Sequence, residues 1–186
     1  KARAKAAQTM SGQVTDAMQT LAMKGGCFEI GLNNGGENAH GLENVEFLVA
    51  GHTGATPRPL AKVASGGELA RISLALSVIA SQAARVPTLI FDEVDSGVGG
   101  AVAEVVGQLL KSLGQQHQVL CVTHLPQVAA YGHHHYRVSK KVIQNKTKST
   151  IELLAPTDRV DEVARMLGGL EITDTTIRHA KEMLAR

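Results

Sequence analysis

Two short runs without a polar residue, Leu89-Ile90-Phe91 and Val119-Leu120-Cys121-Val122, fix most of what this chain can become. Between them, Val102, Val105, Val106, Leu109, Leu110 and Leu113 recur at helical spacing across residues 101–113. A strand that is apolar on both faces needs cover on both. A helix between two such strands lets them run parallel. The expectation is an α/β fold with a largely parallel sheet and flanking helices. In such a sheet neighbouring strands end on one edge, and ligands bind at that edge. The residues that follow the two runs are Asp92-Glu93 and Thr123-His124.

The rest of the chain arranges itself around this unit. Over residues 1–24, Ala7, Met10, Val14, Ala17 and Leu21 follow the a/d spacing of a heptad. Gly12 interrupts that seam, and an ordinary amphipathic helix fits the same pattern. Lys1, Arg3, Lys5 and Lys24 against Asp16 give this arm a basic face. Gly25-Gly26 ends the helix. Residues 27–32 alternate like a strand, Asn33-Asn34-Gly35-Gly36 is a turn signal, and residues 45–49 read as the hairpin partner. Residues 51–62 read as a loop. Leu69, Ile72, Ser73, Leu76, Ile79 and Ala80 mark a helix that Pro87 stops. Residues 136–142 and 149–154 read as an antiparallel pair. Terminal helices are expected over 158–168 and 173–186, the second capped by Thr173 or Asp174.

Composition narrows the function. With no Trp, two Tyr and three Phe, the core must be aliphatic, and base stacking on aromatic rings is disfavoured. A formal net charge of +2 implies no strong pull of the whole chain on DNA. Cys27 and Cys121, far apart in apolar contexts, read as reduced, buried thiols of a cytosolic protein. No secretory signal is visible, and no apolar run approaches the ~18 residues of a membrane span. The chain starts at Lys1 without Met, which reads as a fragment.

Three motifs carry chemistry. Ser65-Gly66-Gly67-Glu68 has the form of a capping box. As a cap alone it needs no function, but paired glycines cost a helix up to ~1 kcal/mol each against Ala. At a helix start they let an anion reach bare N–H groups at the positive end of the dipole. Asp92 and Glu93 are neighbours on a strand, point to opposite sides and suit different tasks. One can hold Mg²⁺ through water, and the other can orient and deprotonate an attacking water. The ordinary reading is a polar strand end. His124, at the end of the next strand, can hydrogen-bond a terminal phosphate or that water. Asp95-Ser96-Gly97 and Gly99-Gly100 form a loop open to close backbone contact.

In this order, S-G-G-E, L-I-F-D-E, V-D-S-G-V-G-G and T-H resemble the C-terminal half of an ABC-type ATPase head: signature motif, Walker B, D-loop and switch histidine. With L-A-K-V-A-S-G-G-E-L-A-R, V-T-H-L-P-Q-V-A, N-V-E-F and M-L-G-G, the chain is similar to bacterial SMC-like DNA repair ATPases over essentially residues 1–186. The resemblance implies a coiled-coil exit helix over 1–24 and the C-terminal lobe of the head over 25–186. It implies ATP and Mg²⁺ as cofactors. Asp92 would help hold Mg²⁺, Glu93 would be the catalytic base, and His124 would sense the γ-phosphate. Ser65, Gly66 and Gly67 would bind ATP held by a second head, with Asp95, Ser96 and Gly97 lining the dimer interface. Glu68 would serve the helix cap. The implied partners are the chain's own N-terminal lobe, a second head and DNA, with no membrane, in the cytoplasm at the nucleoid. The chain contains no G-x-x-x-x-G-K-[ST] phosphate loop, so alone it should bind ATP poorly and hydrolyse it negligibly.

Two other classes fit parts of the pattern: a transporter's nucleotide-binding domain, and an ABC-like module that serves assembly only. His133-His134-His135 invites a zinc reading, but three consecutive strand residues cannot all face one ion. Residues 58–62 and Lys140, Lys141, Lys146 and Lys148 read as solvated basic surface rather than a DNA contact.

Overall fold

In a computed structural model, the described residues are 1–62, 66–83, 86–92, 94–95, 97–143, 146–169 and 171–186. The chain opens with helix α1 (Ala2–Thr20), whose Val14 and Met18 are fully buried. Leu21, just past its end, is buried in the same core. Gln19 closes the helix: its amide accepts from Gly25 N–H at 2.8 Å and donates to Gly26 O at 3.0 Å.

Strands β1 (Cys27–Asn38) and β2 (Gly41–Ala50) pair antiparallel, from Cys27–Ala50 to Asn38–Gly41. Helix α1 lies along β1 and satisfies its donors. Thr15 Oγ1 accepts from Phe28 N–H and Ser11 Oγ from Ile30 N–H, each at 3.0 Å. At these two positions the helix covers the strand's edge. The hairpin turn is not at Asn33–Gly36 as expected. Asn33 and Asn34 still pair with Asn44 and Glu43, and the chain reverses at Ala39-His40. Residues 35–37 oppose Leu42 alone, so the glycines are absorbed in a bulge. Arg3 pins the displaced tip by donating to His40 O at 2.5 Å and Glu43 Oε2 at 3.3 Å. The expected 51–62 loop contains a short edge strand, β3 (Arg58–Pro59), and a 3-10 turn over Leu60–Lys62.

Helix α2 (Gly66–Ala83) packs on α1 and buries Ile72, Leu74 and Ala75. Its buried face is rotated from the expected stripe: Ser73 is exposed and Leu69 is 39% exposed. Next come β4 (Thr88–Asp92), α3 (Gly100–Leu113) and β5 (Gln118–Val122). As expected, β4 and β5 pair parallel, from Thr88–Gln118 to Asp92–Val122. A short α4 (Pro126–Ala129) leads to a hairpin of β6 (Tyr136–Ile143) and β7 (Lys146–Leu153). Helices α5 (Pro156–Gly168) and α6 (Asp174–Leu184) end the chain. Thr173 caps α6 in a capping box with Thr176.

The main core joins α1, the β1–β2 hairpin, α2, β4 and α3 around Phe28, Val14, Ile72, Phe91 and Val106. A smaller core holds α5 on α6 through Val163, Ala164, Ala180 and Met183. The parallel pair departs from expectation in one respect. Leu89, Phe91, Val119 and Cys121 face the main core, but Ile90, Leu120 and Val122 are 73%, 48% and 59% exposed. Among the described residues, nothing covers the second face. Tyr136, Val138 and Val142 of β6 and Ile151 and Leu153 of β7 are exposed as well. The strands are apolar on two faces, and this chain buries one.

Candidate functional site at the ends of β4 and β5

The parallel register decides the geometry. Asp92 pairs with Val122, so Asp92 and the Thr123-His124 step leave the sheet on one edge. Both Asp92 and the His124 side chain are exposed, the latter 73%. The chain then turns at residues 94–98, where Val98 N–H donates to Asp95 O at 3.2 Å, and enters α3 through Gly99.

Asp95 does not point outward. It is 1% exposed and faces the β5 exit. Its Oδ2 accepts from the Thr123 hydroxyl, and from His124 N–H at 3.2 Å. The same Oδ2 lies 3.4 Å from His124 Nδ1. Thr123 Oγ1 in turn accepts from Leu125 N–H at 3.0 Å, so the Asp95 carboxylate fixes the backbone that carries the histidine. Asp95 Oδ1 is buried with no hydrogen-bond partner among the described residues. Burial, followed by the nearby Asp95 and Asp92 carboxylates, pushes the Cys121 thiol up to about 11. Cys121 and Cys27 are free thiols and only half-buried.

Gly66 and Gly67 begin α2, and the two are not equivalent. Nothing lies within 4 Å of where a Gly66 Cβ would stand. Gly67 instead meets the loop after β4: a Cβ on Gly97 would come within 3.0 Å of Gly67 Cα. Gly97 has φ +71°, a conformation that costs other residues. The start of α2, the turn at residues 94–98 and the end of β5 are therefore one contiguous piece of surface. Glu68 lies beside Gly51, whose added Cβ would meet Glu68 Oε1 at 3.2 Å.

Of the expected site residues, the fold gathers Gly66, Gly67, Asp92, Asp95, Gly97 and His124. Ser65, Glu93 and Ser96 lie outside the described residues. A metal would find one exposed carboxylate here, Asp92, and among the described residues no group of three His, Cys, Asp or Glu side chains could hold one. A Mg²⁺ held through water would suit the exposed Asp92 carboxylate. Of the basic residues, Lys140, Lys141, Lys146 and Lys148 are exposed on the β6–β7 hairpin. His133 and His134 are exposed, whereas His135 is half-buried, its pKa lowered by burial and by Arg159.

Two contacts had no local signature. The Asp95–Thr123 bond spans 28 residues, and its only trace in the sequence is a Thr directly before the His. Arg159 is the other. From α5, its Nη2 donates to the carbonyls of Ala129, Ala130 and Gly132, at 3.2, 3.0 and 2.5 Å, and so fastens the end of α4.

The DNA repair protein RecN of Xylella fastidiosa (strain 9a5c) is 51% identical over 185 residues, 98% of this chain and 33% of that protein. RecN of Haemophilus influenzae is 47% identical over 184 residues, again 98% of this chain and 33% of its own length. The chain corresponds to the C-terminal portion of RecN proteins. It spans about one third of the length of the curated RecN relatives it matches. No family model matches. Among solved structures, an Smc head domain with coiled coil and joint from Pyrococcus yayanosii superposes with TM-score 0.68 at 19% identity, covering 86% of this chain and 29% of that one. An SMC ATPase structure from work on ATP-driven dimerization gives TM-score 0.64 at 18% identity, covering 90% and 96%. At those identities the likeness establishes the fold, that of an SMC head domain.

Proposed function

We propose that this chain is the C-terminal lobe of the ATPase head of a RecN-type, SMC-like repair protein, and that it hydrolyses ATP only with its N-terminal lobe. The observation that carries the proposal is the single edge shared by Asp92, the 94–98 turn and His124. Asp92 helps hold Mg²⁺, Glu93 activates the water, and His124 contacts the γ-phosphate. Gly66, with Ser65 before it, meets ATP held by a second head, so that ATP joins two heads. The backbone around Ser96 and Gly97 borders that interface. RecN relatives along the whole chain and the SMC head fold favour this reading over a transporter domain, and the retained carboxylate and histidine favour it over an assembly module.

The bare face of β4–β5, with Ile90, Leu120 and Val122, suits cover by the N-terminal lobe. Helix α1 suits the exit of a coiled coil. The whole protein works on DNA in the cytoplasm at the nucleoid, as the relatives named for DNA repair suggest. Among the described residues, no helix is long and apolar enough to cross a membrane.

Co-expression with the N-terminal lobe tests this. ATPase activity should appear in the joined protein, vanish with Glu93→Gln, and fall together with ATP-dependent dimerisation in Ser65→Arg. Robust ATPase activity of this chain alone, abolished by Glu93→Gln, would sink the split-head proposal. Survival of dimerisation in Ser65→Arg would remove the serine's role across the interface.

A further inference from the structure

We infer that Asp95 is a positioning residue for His124. Its buried carboxylate, acting through the Thr123 hydroxyl and the His124 amide, sets where the imidazole stands. The inference rests on the proposed role of His124 in ATP hydrolysis and goes beyond it, because Asp95 would otherwise serve only an interface.

The choice of residue type is the first argument. A hydroxyl and an amide N–H need an acceptor, and a neutral Asn oxygen would serve both. A carboxylate at 1% exposure is a costly acceptor unless a charged or strongly donating partner offsets its desolvation. Among the described residues, the one basic group within 4.0 Å of Asp95 is His124, with Nδ1 at 3.4 Å. Among those residues, no Lys or Arg ion pair involves Asp95. The carboxylate therefore sits where a histidine is the group that can use it.

Mechanics is the second. His124 lies two positions past Val122, the last residue of β5, and its side chain is 73% exposed, so packing does not hold the ring. What holds the step is Asp95 Oδ2, bonded to the residue before the ring and to the amide of the residue that bears it, while Thr123 Oγ1 takes the next amide. An imidazole that must meet a phosphate within hydrogen-bond distance gains from such a fixed root. Nδ1 is the ring nitrogen that approaches Asp95, at 3.4 Å from Oδ2.

The test uses two readouts. In this chain, the ring ¹⁵N and ¹H signals of His124 should shift in Asp95→Ala and in Thr123→Val, with those of His117, bonded to Val86 O at 2.8 Å, as the internal control. Thr123→Val keeps the side-chain shape and removes only the hydroxyl, so it stands in if Asp95→Ala does not fold. In the joined two-lobe protein, each variant should lower kcat about 10-fold or more with KM little changed. In the His124→Ala background each should add less than about 2-fold, because the effect passes through the ring. Asp95→Asn should restore part of the rate, since its oxygen still accepts. Unmoved His124 signals overturn the inference whatever the ATPase result. So does a loss that multiplies fully with His124→Ala. Moved signals with a His124→Ala protein as fast as wild type uphold the contact and sink the proposed role of His124 instead.

Discussion

Replacing Gly97 with Ala tests the most specific contact in the fold. Gly97 has φ +71°, where an L side chain costs about 1–2 kcal/mol. Its Cβ would also stand 3.0 Å from Gly67 Cα, backbone against backbone, with no flexible end to swing away. Overpacking of that kind costs about 1–3 kcal/mol. The two effects together give a loss of about 2–5 kcal/mol, or roughly 4–20 °C in Tm for a chain of this size.

Two sister variants separate the causes. Gly100 has φ +53° with nothing within 4 Å of its Cβ position, so Gly100→Ala should cost only the conformational part, about 1–2 kcal/mol. Gly67→Ala meets Gly97 O at 3.4 Å in a helix that favours Ala, so it should stay within about 1 kcal/mol of wild type. The assay is urea unfolding of the three variants, read with amide exchange at Val98, whose N–H bonds Asp95 O at 3.2 Å. If the turn yields locally, the exchange rate at Val98 rises and global stability changes less. Gly97→Ala equal to Gly100→Ala in both measurements would refute the claim that the 94–98 turn rests on the start of α2.

Other consequences can be read the same way. Gly107→Ala drives a Cβ to 2.4 Å from Tyr131 Cδ2 and should cost about 1–3 kcal/mol by urea midpoint. Arg159→Met strips the carbonyls of Ala129, Ala130 and Gly132 of their donor and should cost about 1.5–3 kcal/mol, with faster amide exchange in α4. The Cys121 thiol, raised from 9.0 to about 11, keeps its proton in the fold while the unfolded chain loses it. Stability should therefore be level below pH 9 and fall between pH 9 and 11, a slope that Cys121→Val should flatten. Ile90→Lys, on the bare face at 73% exposure, should leave this chain's own stability within about 0.5 kcal/mol yet block capture by the N-terminal lobe in co-expression.

What the sequence made legible was pattern of short range. The helical stripe between two apolar runs predicted β4, α3 and β5 with their parallel pairing, and Thr173-Asp174 predicted the α6 cap, which the structure gives to Thr173. What it left illegible was what lies opposite each face. Ile90, Leu120 and Val122 are apolar whether or not this chain covers them, so a pattern of burial was read as burial here. Asn33-Asn34-Gly35-Gly36 carries turn chemistry, but Asn34–Glu43 and Asn38–Gly41 continue the ladder through and past it, and Arg3 holds the tip farther out. Ladder pairing and a distant arginine outweigh local turn preference. Asp95 follows the same logic. Its place in the motif suggested an outward residue, and only the partner 28 positions away shows that its side chain is turned in.

The two glycines of the helix start illustrate how one motif can answer two demands. A reading from sequence assigns both to an approaching phosphate, because bare backbone is what an anion needs. The structure divides them. Gly66 faces open space and keeps that assignment on the proposed function. Gly67 is spent inside the chain, against Gly97, and an anion need not come near it. On the proposed function the division matters. On that function, the helix start that meets a second head's nucleotide rests on the turn whose Asp95 roots His124. Residues 95–97 then lie between the contact made with one ATP and the contact made with the other. On the proposed function, a shift of Gly67 by one bond length would press on Gly97, and Asp95 holds the His124 step through Thr123 and the His124 amide.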